Sequence, residues 1–203
     1  MLVDKIRSFK NDERGVASVE LMLSVPILVW ALLSTYVYFQ AFRAESISTR
    51  AGLTIADMYS REATVDDAFV KGSFELLKTL SAAAMTETPS LRVTSFSFNN
   101  NNNKDSSDDT VKIIWSEVRG DTYIAHTNAT LNALIENIPI MDNGQKAILV
   151  ETASSYSAPF SIGIGPFIPT NLDDVKFNTF TVIRPRFVVK ICYEYEDNSI
   201  ACD

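Results

Sequence analysis

Residues 21–39, LMLSVPILVWALLSTYVYF, are nineteen consecutive positions without a charged side chain, and the first charge beyond them is Arg43. At about 1.5 Å rise per residue, a helix of that length covers roughly 28 Å, close to the ~30 Å hydrocarbon thickness of a bilayer. A helix in a soluble core seldom carries apolar side chains on every face over this length. The run therefore predicts a membrane-spanning helix. Pro26 removes one backbone donor inside it and predicts a bend, which a membrane helix tolerates. Trp30, Tyr36, Tyr38 and Phe39 lie in its second half, where interfacial aromatics collect. Further on, Phe39, Phe42, Ile47, Ala51, Ile55 and Met58 recur at helical spacing among Arg43, Glu45, Arg50 and Asp57. The membrane helix is thus expected to continue outward as a stalk to about residue 60.

The pattern then shortens. Asp66-Asp67 predict a helix start, with Phe69, Val70, Phe74, Leu77 and Leu80 as its apolar face and Pro89 closing the segment. Strand patterns over 91–98 and 111–118 flank a polar 99–109 loop that opens with five asparagines. Residues 127–137 predict a short helix with Leu131, Leu134 and Ile135 inward. Strands are predicted over 147–156, 177–183 and 187–195. Gly163, Gly165, Pro166 and Pro169 break the connection between the first two, and Pro185 interrupts or edges the sheet because it cannot donate to a ladder. The expected fold class is α+β: a long N-terminal transmembrane helix continuing into a stalk, followed by one domain with an antiparallel sheet and a few helices.

Charge and composition narrow the function. The 203 residues carry a net charge of −7 and a single histidine. Nucleic acid is excluded as a partner, since phosphate binding needs clustered Lys and Arg. His126, Cys192 and Cys202 have no spacing of a zinc or haem site, and no phosphate, dinucleotide or hydrolase signature is present. His126, without a placed partner, reads as structural. Asp105, Asp108 and Asp109 suggest calcium only loosely, because the EF-hand spacing and its closing Glu are missing. The expectation is a protein that is not an enzyme and holds no cofactor or metal.

Lys5, Arg7, Lys10 and Arg14 precede the apolar run. By the positive-inside rule they keep the N-terminus cytoplasmic and send the rest across the membrane. In an oxidising compartment the two cysteines, Cys192 and Cys202, are expected to pair, two free thiols in a reducing compartment being the alternative. An ordinary secretory signal fits poorly: the run is too long, and Phe42 occupies a position that a small residue should hold before Ala44.

A better match lies upstream. Glu13-Arg14-Gly15, then Val16-Ala17-Ser18-Val19-Glu20 and the apolar run, resembles the type IV prepilin signature. More narrowly, ERGVASVELMLSVPILVWALL looks like the start of a TadE-like pseudopilin of the tight-adherence (Flp) pilus machinery, with Pro26 the eleventh residue counted from Val16. The resemblance is specific over 13–33 and extends to Ile148-Leu149-Val150-Glu151 with Tyr156 and Pro159, and to Arg184-Pro185-Arg186. It implies a cytoplasmic leader over 1–15, a transmembrane helix over 16–42 and a periplasmic pilin-like domain over 43–203. It also implies cleavage between Gly15 and Val16 by a prepilin peptidase, and residence in a bacterial inner membrane. Glu20 would serve assembly with other pilins or pseudopilins and the tight-adherence secretion machinery. Of two departures, Val16 for the usual Phe or Met and Leu21 for Tyr, the second points to a minor component. The alternative reading is an uncleaved, membrane-anchored binding or scaffold module.

Overall fold

In a computed structural model, residues 16–82, 87–100, 109–160 and 175–202 are described, with side chains from residue 18. One helix, α1 (Val16–Ser60), contains Pro26 and is about 67 Å long at 1.5 Å per residue. It lives in two surroundings. Leu21, Met22, Leu23, Ile27, Leu28 and Leu32 are each at least 60% exposed, and the helix is long and apolar enough to cross a membrane. From Ser34 onward one face is buried. Val37, Ala44, Ser48, Ala51, Ile55, Ala56 and Tyr59 recur at helical spacing and are all covered.

What covers them is a four-stranded antiparallel sheet and a second helix. β2 (Ser90–Asn99), β3 (Thr110–Arg119), β4 (Lys146–Tyr156) and β5 (Val175–Ile183) lie in the order β3-β2-β4-β5. β4 and β5 pack on the distal half of α1, and α2 (Asp67–Ser81) packs beside it and reaches β3. Leu91, Val93, Trp115, Ile148 and Val150 face the helices and form one core with Ile55, Tyr59, Val70 and Leu77. The α2 start agrees with expectation: the Asp66 carboxylate accepts from the Phe69 N–H at 2.7 Å, a side-chain N-cap. The helix comes close to the sheet at Gly52, where an added Cβ would lie 2.7 Å from Thr179 Oγ1. Thr179 cannot easily yield, because the same oxygen is hydrogen-bonded to Thr152 Oγ1 at 2.7 Å.

The other face of the sheet is closed by residues 120–145. Leu131, Ile138 and Met141 cover Phe96, Phe98, Val111, Ala147 and Leu149. The helix expected over 127–137 is broken here. α3 spans only Asn128–Asn132, opened by a Thr127/Thr130 capping box, and a separate 3₁₀ turn covers Ile135–Asn137. The break follows from what the helix does at the sheet edge. Asn132 accepts from the Val111 N–H and donates to the Val111 carbonyl, and Asn128 accepts from the Ile113 N–H. The two amides stand in for a neighbouring strand along β3, which fixes α3 to that edge.

A small second sheet joins the segment just after α1 to residues 192–201. β1 (Thr64–Asp66) pairs in parallel with β6 (Cys192–Glu194), which pairs with β7 (Ile200–Ala201). The strand expected over 187–195 is thus reduced to three residues, because nothing pairs with the part before it. Phe187 and Val189 point to solvent, while Val188 and Ile191 pack on the core. Trp115 Nε1 donates to the Ile191 carbonyl at 2.9 Å and anchors this segment to the main sheet. Among the other expectations, 101–108 with Asp105 and Asp108, and Gly163, Gly165, Pro166 and Pro169, lie outside the described residues.

Two predictions follow from the packing. Gly52→Val should lower stability by about 2 kcal/mol, the scale of overpacking a tight site. Adding Thr179→Ala should recover part of that loss in thermal unfolding of the full chain in detergent. The sulfurs of Cys192 and Cys202 lie within bonding distance, with Cα atoms 4.6 Å apart and a sequence separation of 10. Reduction should therefore cost about 2–3 kcal/mol on the loop-entropy account, and unfolding without reductant should expose no reactive thiol.

Candidate membrane and assembly interface

Most of the exposed large hydrophobic side chains among the described residues lie on α1 between Val19 and Phe42. Glu20 is the only charged side chain between Val16 and Arg43, and it is exposed. It follows Val16 by four residues, one helical turn, so the two positions share a face. Gly15 and the leader lie outside the described residues, as does the Val16 side chain. Where the head begins, aromatics gather: Tyr36 stacks on Phe160, from the end of β4, with ring centroids 6.3 Å apart. Tyr38, Phe39 and Phe42 remain largely exposed beside them. The head thus reaches back to the last turns of the apolar run.

A second cluster is one that sequence reading missed. Arg92 on β2 and Glu151 on β4 are cross-strand partners. Their side chains form a fork, Arg92 Nε to Glu151 Oε2 at 2.6 Å and Nη2 to Oε1 at 2.7 Å. His126 Nε2 lies 2.9 Å from Glu151 Oε2, and its Nδ1 lies 3.1 Å from Thr130 Oγ1. Because an ionised carboxylate only accepts, Nε2 carries a proton in this pair. Tyr123 stacks on the Arg92 guanidinium at 4.5 Å, and Arg92 Nη1 donates to the Ile124 carbonyl. All three side chains are almost buried, with exposures of 13%, 7% and 3% for Arg92, Glu151 and His126.

Glu–His–Thr is also the order of a catalytic relay, so its geometry matters. Here the Thr130 hydroxyl is spent on local structure: it accepts from the Thr127 N–H and donates to the Thr127 carbonyl. A nucleophile needs a free hydroxyl, and that of Thr130 is already engaged on both sides by Thr127. The cluster instead pins residues 120–130 to the sheet. Burial by itself raises the Glu151 carboxyl, but the hydrogen bonds from His126 and Arg92 outweigh it and hold the group below the ordinary 4.5. Burial likewise pushes the Tyr123 phenol up to about 12, with the Glu151 charge adding and Arg92 opposing.

Arg184 and Arg186 sit at the far end of the head from the apolar half of α1. Arg186 pairs with Asp57 on the last turn but one of α1 at 2.7 Å, and its backbone N–H donates to the Ser60 carbonyl. Asp57 also holds Arg61 at 2.7 Å. A cleft of about 310 Å³ opens beside them. Asn128, which begins an Asn128-Ala129-Thr130 sequon, has its side-chain oxygen engaged by the Ile113 N–H of β3.

No protein-family model, curated protein or solved structure matches this chain.

The Glu151 cluster sets a pH dependence. Its folded pKa lies below the unfolded value near 4.5, so its stabilisation is complete above that value. It is lost as pH falls from about 4.5 through the lowered folded pKa. Glu151→Gln should remove this acid-side slope and cost about 3–5 kcal/mol at neutral pH, since it leaves Arg92 buried without its counter-charge. Denaturant unfolding at a series of pH values checks both.

Proposed function

We propose that this chain is a minor, TadE-like pseudopilin that supports biogenesis of a tight-adherence (Flp) pilus from a bacterial inner membrane. The observation that carries the reading is the division of α1. Its first half is apolar on every face with one carboxylate, Glu20, at its head, and its second half is the spine of an antiparallel sheet. The basic leader places the N-terminus in the cytoplasm and the head in the periplasm. The Cys192–Cys202 pair suits that oxidising compartment.

In this reading a prepilin peptidase cuts between Gly15 and Val16. Gly15 offers it an unhindered bond, and cleavage frees the Val16 amine. Glu20, one turn on, then balances that amine or the amine of a neighbouring subunit. A carboxylate at the edge of the hydrocarbon is costly without such a partner, which is why it reads as functional. The chain carries no chemistry of its own: it is substrate to the peptidase and partner to other pilins and to the secretion machinery.

Mass measurement of the protein from its native membrane should show loss of residues 1–15, and Gly15→Leu should retain them. Glu20→Val should insert normally yet abolish or sharply reduce piliation at matched protein level. An uncleaved chain together with normal piliation in Glu20→Val would reject the pseudopilin reading and favour the anchored scaffold.

A further inference from the structure

Two surfaces at the distal end of the head differ in charge, and each keeps charged side chains without an ion-pair partner among the described residues. The first is the cleft beside the end of α1, lined by Leu53, Ser60, Ile183, Arg184 and Arg186 with Asp57 at its edge. The lining carries Arg184 and Arg186 against Asp57, which already pairs with Arg186, so the charge left in excess is that of Arg184. Arg184 forms no ion pair among the described residues. The second is the disulfide-closed β6–β7 hairpin. From Ile191 to Cys202 it contains Glu194, Glu196 and Asp197 and no lysine or arginine. Glu194 and Glu196 form no ion pair among the described residues, and Tyr195 and Ile200 are exposed beside them.

The hairpin is a preformed projection. Cys192–Cys202 closes it, Asn198 takes a positive φ of 61° at the turn, and the Ser199 N–H and hydroxyl both donate to the Asp197 carboxylate. Those hydrogen bonds hold Asp197 below the ordinary carboxylate range. Docking it therefore orders little that is not already ordered. The cleft and the hairpin also lie at the same level on the molecule. Arg186 N–H bonds the Ser60 carbonyl, Cys192 N–H bonds the Ala63 carbonyl, and β6 pairs with β1 directly after α1.

We propose that the cleft of one copy receives the acidic hairpin of a second copy of this chain. The inference rests on the membrane-anchored pseudopilin reading, because parallel helices in one bilayer bring the two surfaces to the same height. Arg184 and Arg186 face Glu194 and Glu196 of the neighbour, and Leu53 and Ile183 meet Tyr195 and Ile200. The contact is heterologous, with different patches on the two copies, so it repeats from copy to copy unless the rotation closes a ring. Its charges are exposed, so it weakens as salt rises past the range where the screening length falls below ~10 Å.

The test is energy transfer between donor- and acceptor-labelled full-length copies in lipid vesicles, labelled on the N-terminal side of the membrane helix. Unmodified copies should give transfer above a dilution-matched control, falling with added salt. Arg184→Glu alone should drop to background, as should the double variant Glu194→Lys, Glu196→Lys. Mixing the two defective proteins should restore transfer, since the reversed cleft then meets the reversed hairpin; a folding defect would not be repaired by mixing. No transfer in the unmodified protein, unchanged transfer in either variant, or no recovery on mixing would overturn the contact. The measurement needs neither peptidase nor pilus, so its failure leaves the Gly15 and Glu20 outcomes standing, and theirs leaves it standing.

Discussion

The head depends on how narrow one face of α1 is. Ala44, Ser48, Ala51, Gly52 and Ala56 leave little between the helix backbone and β4 and β5, and bulk enters only where Ile55 and Tyr59 fill the core. Gly52 against Thr179 marks the limit of that approach. A sheet set this close to the helix excludes water from both and keeps their contacts at interior density. Before residue 34 the helix carries large apolar side chains on all sides, and most of them are exposed among the described residues. Side-chain size along a single helix thus separates a part that packs on protein from a part that needs another apolar medium.

The sheet's second face solves a different problem. Its distal part is apolar and capped by Leu131, Ile138 and Met141, whereas nearer the Ser90 end it holds Arg92 and Glu151. Charges there are tolerable because each is paired and hydrogen-bonded: the fork, the His126 ring, the Ile124 carbonyl and the Tyr123 face leave no uncompensated group in the cluster. A half-satisfied version would be worse than an apolar patch. The cluster gives residues 120–130, a stretch with little apolar surface, a specific place on the sheet.

The parts legible in the sequence were those governed by local periodicity. The uncharged run, the helical spacing to residue 60, the Asp66 cap and four main strands all follow from near-neighbour patterns. What was not legible depends on register. Arg92 and Glu151 are distant along the chain, and only the β2–β4 pairing makes them partners. Arg92 between Leu91 and Val93, and Glu151 directly after Ile148-Leu149-Val150, were the available signal. The break in the 127–137 helix came from the same source, because Asn128 and Asn132 answer to a strand edge that a local pattern does not contain. Residues 187–195 alternate like a strand, but alternation gives no partner, and only three of them found one. The membrane-side candidates, Gly15 and Glu20, were read from chemistry and resemblance, and the fold adds to them the exposed, apolar half-helix on which Glu20 sits.

The parallel pairing of β1 with β6 sets an order of events. Thr64 lies directly after the long helix and Cys192 near the end of the chain, yet the two are strand neighbours. Loops this long close late, after their entropy has been offset by other contacts. The second half of α1 can bind β4 and β5 earlier, but Tyr193, Trp115 and the disulfide cannot complete the core until the last dozen residues have arrived. A chain emerging in sequence order would hold its helix while the head stayed open, and residues 191–202, arriving after all four strands of the main sheet, would be the ones that shut it.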